Sequence, residues 1–64
     1  MRVNGKQITI DAGITISELL MQQGYDSQRV AVEKNGRIIQ KNNFDTETLS
    51  DSDTIEVVQF VGGG

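Results

Sequence analysis

The spacing of apolar and polar residues changes several times along this chain, and each change marks an element. Arg2-Val3 and Gln7-Ile8-Thr9-Ile10 flank Asn4-Gly5, a dipeptide suited to the two positive φ angles of a type I′ turn. Met1 to Ile10 therefore reads as a β-hairpin with Ile8 and Ile10 on one face, and Asp11-Ala12-Gly13 breaks it. The period then becomes helical. Ile16, Leu19, Leu20 and Gln23 follow i, i+3, i+4, i+7, a narrow apolar stripe that must lie on something flat. Thr15 and Glu18 have capping-box spacing, Ile14 and Leu19 have hydrophobic-staple spacing, and Gly24 falls at the C′ position.

Alternation returns at Val30-Ala31-Val32-Glu33, and Asn35-Gly36 offers a second tight turn into Arg37-Ile38-Ile39-Gln40. Lys41 to Ser52 is a longer crossing anchored by Phe44 and Leu49, with a single helical turn expected in Asp45-Thr46-Glu47-Thr48. The last strand runs from Thr54 to Phe60 or Val61. Two hairpins bracketing one amphipathic helix, followed by a further strand, predict an α+β domain in which a mixed sheet packs one face on the helix. The body spans residues 1–61 and a glycine tail occupies residues 62–64. If Ile55 and Val57 join Ile8, Ile10, Leu19, Leu20, Val30 and Val32 in the core, alternation turns Val58 and Phe60 to solvent. Such a pair, immediately upstream of the tail, reads as a docking patch.

Composition narrows the chemistry. A chain of 64 residues forms one domain with a small core, burying about 60% of its unfolded surface. With no cysteine and no histidine, disulfides, thiolate metal sites and the usual catalytic bases are excluded together. Nine acidic against six basic residues, a net charge of -3, argue against a nucleic-acid partner. No wholly apolar run exceeds three residues, as in Leu19-Leu20-Met21, so neither a membrane span nor a signal peptide is expected, and the default location is cytoplasmic. Asp51-Ser52-Asp53 resembles a calcium loop only superficially, since Ile55 and Gly62 stand where ligands would be needed. No phosphate-binding glycine loop precedes a helix, and no metal site or catalytic constellation emerges. Glu18 and Glu33 read as a helix cap and a strand surface.

What remains is Gly62-Gly63-Gly64. A terminal carboxylate ionises near pH 3.3–3.7, roughly, so at neutral pH it is a very poor acyl electrophile. It needs activation, as a mixed anhydride with a nucleotide phosphate. Glycine suits the last positions because a backbone without Cβ can enter a tight channel. Four extended residues, Val61 to Gly64, could project about 13–14 Å.

These residues carry a resemblance. The Asn4-Gly5 hairpin, the helix start from Thr15 to Leu20, Val30-Ala31-Val32-Glu33-Lys34-Asn35-Gly36, Asp53-Thr54-Ile55-Glu56-Val57-Val58 and Phe60-Val61-Gly62-Gly63-Gly64 resemble the ThiS family of sulfur carriers, over nearly the whole chain. The family is departed from at Ser52, where glycine is frequent before the turn aspartate. The resemblance implies a ubiquitin-like β-grasp fold, a mixed sheet of about five strands on one main helix. It implies no enzyme activity and no cofactor of the chain's own. An E1-like, ThiF-type adenylyltransferase, using ATP and magnesium, would convert the Gly64 carboxylate to an acyl-adenylate. Sulfur derived from a cysteine desulfurase would then replace the nucleotide, leaving a thiocarboxylate for a ThiG-type thiazole synthase in thiamin biosynthesis. Gly62 and Gly63 would thread the enzyme's channel, Val58 and Phe60 with Ile38 or Ile39 would form the partner-binding face, and the free chain would be a monomer. The rival readings are a sulfur carrier for molybdopterin or another sulfur product, a ubiquitin-like protein modifier, and a non-covalent binding module with inert glycines.

Overall fold

Both Asn-Gly dipeptides close tight turns in the computed structural model, which describes residues 1–60. Asn4 and Gly5 have φ of 51° and 81°, and Asn35 and Gly36 have 52° and 82°, the doubly positive pattern that this dipeptide tolerates best. The first turn joins β1 (Arg2–Val3) to β2 (Lys6–Gln7), in the register Arg2↔Gln7 and Val3↔Lys6. Strand β2 is shorter than its alternation predicts. After the Ile8 N–H bonds the Met1 carbonyl at 2.9 Å the chain leaves the ladder, and Ile8 and Ile10 are placed by packing on the core. The second turn joins β3 (Val30–Lys34) to β4 (Arg37–Ile39).

Helix α1 (Ile16–Gln22) is short, and its ends are held by specific bonds. The Thr15 hydroxyl accepts from Glu18 N–H at 3.1 Å, while Glu18 Oε1 accepts from Thr15 N–H at 2.9 Å, completing the capping box. The two N–H groups that this box leaves open are satisfied from elsewhere: Ile16 N–H by the Glu47 carbonyl at 3.0 Å and Ser17 N–H by the Phe44 carbonyl at 2.9 Å. At the other end Gly24, with φ of 79°, and Tyr25 donate to Met21 and Leu20 carbonyls in a Schellman arrangement. Gln23, expected on the apolar stripe, is the exposed C-cap instead, so Ile16, Leu19 and Leu20 are the buried face.

The connections depart most from expectation. A 3-10 turn at Ser27–Arg29, capped by the Asp26 side chain, precedes β3. The helical turn expected at Asp45–Thr48 lies earlier, as a 3-10 turn at Lys41–Asn43 followed by a turn in which Thr46 and Glu47 N–H bond the Asn43 carbonyl, while the carbonyls of Phe44 and Glu47 accept from the helix N-terminus.

Strand β5 (Thr54–Gln59) is the centre of a five-stranded sheet ordered β2-β1-β5-β3-β4. It runs parallel to β1 and antiparallel to β3, making the sheet mixed as predicted. The helix face holds Val3, Val30, Val32, Ile55 and Val57 against Ile16, Leu19 and Leu20, with Phe44 and Leu49 from the crossing and Met1 and Ile14 closing the ends. This is the β-grasp arrangement.

Candidate functional site

The strand that leads to the glycine tail is secured along its length by side chains from both Asn-Gly turns. At β1's end the Asn4 side chain replaces a missing strand: its Oδ1 accepts from Val57 N–H at 2.7 Å and its Nδ2 donates to the Val57 carbonyl at 3.2 Å. Asn4 Nδ2 also donates to the Tyr25 hydroxyl at 3.2 Å. At the opposite end of β5, Asn35 Oδ1 accepts from Thr54 N–H at 2.9 Å and Asn35 Nδ2 donates to Asp53 Oδ1 at 2.9 Å. Phe60 N–H bonds the Arg29 carbonyl at 2.8 Å, so pairing persists to the last described residue.

Asp53 is the one buried charged side chain among the described residues. Besides Asn35, Ser50 N–H donates to its Oδ2 at 2.8 Å, and Lys34 Nζ lies at 3.8 Å. Burial by itself would push this carboxyl up; the hydrogen bonds from Asn35 and Ser50 and the charge of Lys34 together outweigh it and hold the group below the usual aspartate range. Lys34 Nζ donates to Glu47 Oε2 at 2.8 Å and to the Thr48 carbonyl at 3.0 Å. The bond to Glu47 raises the Lys34 pKa, against the lowering effect of burial. A lysine held protonated and committed to three oxygens is a clamp between β3, the crossing and β5, and its chemistry is the opposite of a base or an amine nucleophile.

The outer face of the sheet is different in kind. Val58 and Phe60 are each 54% exposed and Ile38 is 75% exposed, three of the four large apolar side chains that the described residues leave open. Ile39, named with Ile38 as a contact candidate, points the other way: β4 pairs it with buried Val32, and it packs against the core. Alternation along a paired strand allows only one of two successive residues onto the outer face. Glu33, Glu56 and Ala31 share that face by register. Gly62, Gly63 and Gly64 lie outside the described residues, as does Val61, the last residue of the expected body.

The sequence signals for Val58 and Phe60 were alternation and position; Asn4, Asn35 and Asp53 as strand anchors had none. An asparagine in a tight turn shows its backbone preference in the sequence, while the partner of its side chain is set by which strand folds beside it.

A model of the ThiS family matches residues 1–64, from the first hairpin to the glycines. The chain belongs to the ThiS family. The sulfur carrier protein ThiS of Bacillus subtilis is 41% identical to it over 66 aligned residues, covering 100% of this chain and 98% of that protein. The crystal structure of the thiamine biosynthesis protein ThiS from Geobacter metallireducens superimposes with a TM-score of 0.82 at 36% identity, covering 98% of this chain and 96% of that one. A thiazole synthase of Paramagnetospirillum magneticum is 39% identical over 97% of this chain. There the match is to a region: the chain spans about a fifth of the length of the thiazole synthases it matches. Membership of the ThiS family agrees with the mixed five-stranded sheet and the one α-helix that the described residues form, a β-grasp fold. No helix among the described residues is long and apolar enough to cross a membrane.

Proposed function

We propose that this chain is a sulfur carrier for assembly of the thiazole moiety of thiamin, working in the cytoplasm as a protein co-substrate of other enzymes. The observation that carries the reading is the match to the B. subtilis carrier over 100% of this chain and 98% of that protein. The match to part of a thiazole synthase supports the acceptor half of the cycle. In the first step the Gly64 carboxylate oxygen attacks the α-phosphorus of ATP, held with magnesium by a ThiF-type adenylyltransferase, and pyrophosphate leaves. In the second, the terminal sulfur of a persulfide supplied through a cysteine desulfurase attacks the acyl carbon and AMP leaves; a second thiol then cleaves the acyl disulfide, releasing the Gly64 thiocarboxylate and leaving a disulfide between the two thiol sulfurs. A ThiG-type thiazole synthase then takes sulfur from the thiocarboxylate. Gly62 and Gly63 thread the activating enzyme's channel, where any Cβ would obstruct the backbone.

The body of the chain supports this division of labour. Lys34 and Asp53 are held by hydrogen bonds to Glu47 and from Asn35 and Ser50, and Ile38, Val58 and Phe60, three of the four exposed large apolar side chains among the described residues, lie on the outer face of the sheet.

Intact mass after incubation with ATP, the adenylyltransferase and a sulfur source tests the proposal. The full chain gains the difference between a sulfur and an oxygen atom, and a chain lacking Gly64 gains nothing while melting at an unchanged temperature. Thiocarboxylate formation on the truncated chain overturns the assignment of Gly64. A stable conjugate to a lysine amine would favour the protein-modifier reading instead.

A further inference from the structure

The outer sheet face carries a feature that the fold does not require. Glu33 on β3 stands directly opposite Glu56 on β5 and, on its other side, opposite Ile38 on β4. Ile38, Glu33 and Glu56 thus form one row across three adjacent strands. Like charges set directly opposite one another weaken a sheet. Among the described residues neither glutamate has an ion-pair partner. Of the nearby basic groups, Lys34 alternates to the helix side, where it meets Glu47 and Asp53, and Arg37, its partner on β4, shares that side by register; Arg29 pairs with Asp26; and Arg2, on the outer face by register, donates to the Gly5 carbonyl. The next row toward the tail pairs Ala31 with Val58, and Phe60 follows two residues later.

The chemistry of a matching surface follows from this order. Adjacent positions in a row are about 4.5–5.5 Å apart, so one partner surface that covers Ile38, Val58 and Phe60 also covers both glutamates. An apolar partner alone would strip water from two carboxylates that have no ion-pair partner among the described residues, which is unfavourable. A guanidinium resolves the conflict. It is planar, is weakly hydrated, remains charged and carries enough donors to serve two carboxylates at once.

We propose that the outer face docks a partner that inserts an arginine side chain between Glu33 and Glu56, with apolar contacts to Ile38 on one side and to Val58 and Phe60 on the tail side. The identity of that partner rests on the carrier reading: it is the adenylyltransferase, which must hold the body while its active site receives Gly64. The repulsion between the two glutamates is a small cost that the core outweighs in the free chain, and docking relieves it.

The test is steady-state adenylation of the full chain by a purified ThiF-type adenylyltransferase, with carrier concentration and salt varied. For the double variant Glu33→Gln with Glu56→Gln, KM for the carrier is expected to rise about tenfold or more with kcat little changed, as for truncation of one side of a hydrogen-bonded charge pair. Glu33→Lys with Glu56→Lys raises it further. Wild-type KM increases with salt, and that dependence weakens in the glutamine variant. The glutamine variant melts at the same temperature as wild type or higher, a result that a structural role for the glutamates would not give. An unchanged KM, or a raised KM accompanied by a lower melting temperature, overturns the arginine-docking assignment and leaves the carrier reading standing. No adenylation of the wild-type chain overturns both.

Discussion

Asn4 and Asn35 each do two jobs at once, and the jobs separate by substitution. Their left-handed backbone closes a tight turn, and their amides bond to β5. Glycine at position 4 would retain the backbone conformation and delete the side-chain bonds to Val57 and to the Tyr25 hydroxyl, so Asn4→Gly is expected to cost about 1–2 kcal/mol in urea unfolding. Asn4→Asp should cost more, because a carboxylate oxygen would face the Val57 carbonyl that Nδ2 now serves. Asp53 makes a pH-dependent contribution. Its carboxyl is held below its ordinary value, so the stability it adds is complete above the unfolded pKa of about 3.9 and is lost as pH falls through the folded value. Lys34 is raised, so its contribution is complete below about 10.4 and fades as pH rises through the folded value. Asp53→Asn is expected to lower stability by about 1–3 kcal/mol at neutral pH, leaving Ser50 N–H and Lys34 without their anion. The gap from wild type should close in unfolding measurements taken below the range in which Asp53 titrates. A gap that persists undiminished there would assign the loss to packing.

At the scale of elements, the helix and the β4 edge strand show opposite sources of order. Helix α1 is too short to persist on its intrinsic propensity, and it depends on its ends and on its buried face. Thr15→Ala removes one half of the capping box and is expected to cost about 1 kcal/mol, read as a lower unfolding midpoint at constant slope. Strand β4 owes its place to pairing with β3, and its two isoleucines divide between the faces. Ile39→Ser should therefore destabilise by roughly 1–2 kcal/mol, through loss of half-buried apolar area, while Ile38→Ser leaves the melting temperature nearly unchanged. Equal losses from both substitutions would contradict the observed facing.

For the whole molecule, one sheet face stabilises the domain and the other is available for contact. Phe60→Ala and Val58→Ala are expected to weaken binding to the adenylyltransferase, by an amount that titration calorimetry can read, with a smaller effect on stability because both side chains are more than half exposed. A large fall in melting temperature with undiminished binding would return both residues to the core. Much of this was legible in the sequence. The Asn-Gly turns, the capping box, Gly24 at C′ and the alternation of Ile55, Val57 and Val58 are local signals, dictated by backbone sterics and by periods of 2 and 3.6 residues. Local rules also misplaced the end of β2 and the turn in the crossing, which depend on partners elsewhere in the chain, and Gln23, which the helix ending at Gly24 and Tyr25 makes the exposed C-cap. The same limit explains the site. Sequence alone determined that no histidine or cysteine chemistry is available and that the strand before Gly62-Gly63-Gly64 has an apolar residue on each face. Only the tertiary structure decided that β5 lies at the centre, that Asn4, Asn35 and Asp53 hold it, that Ile39 is withdrawn from the outer face and that Glu33 meets Glu56, since strand order and register are fixed by contacts between segments that the chain keeps far apart.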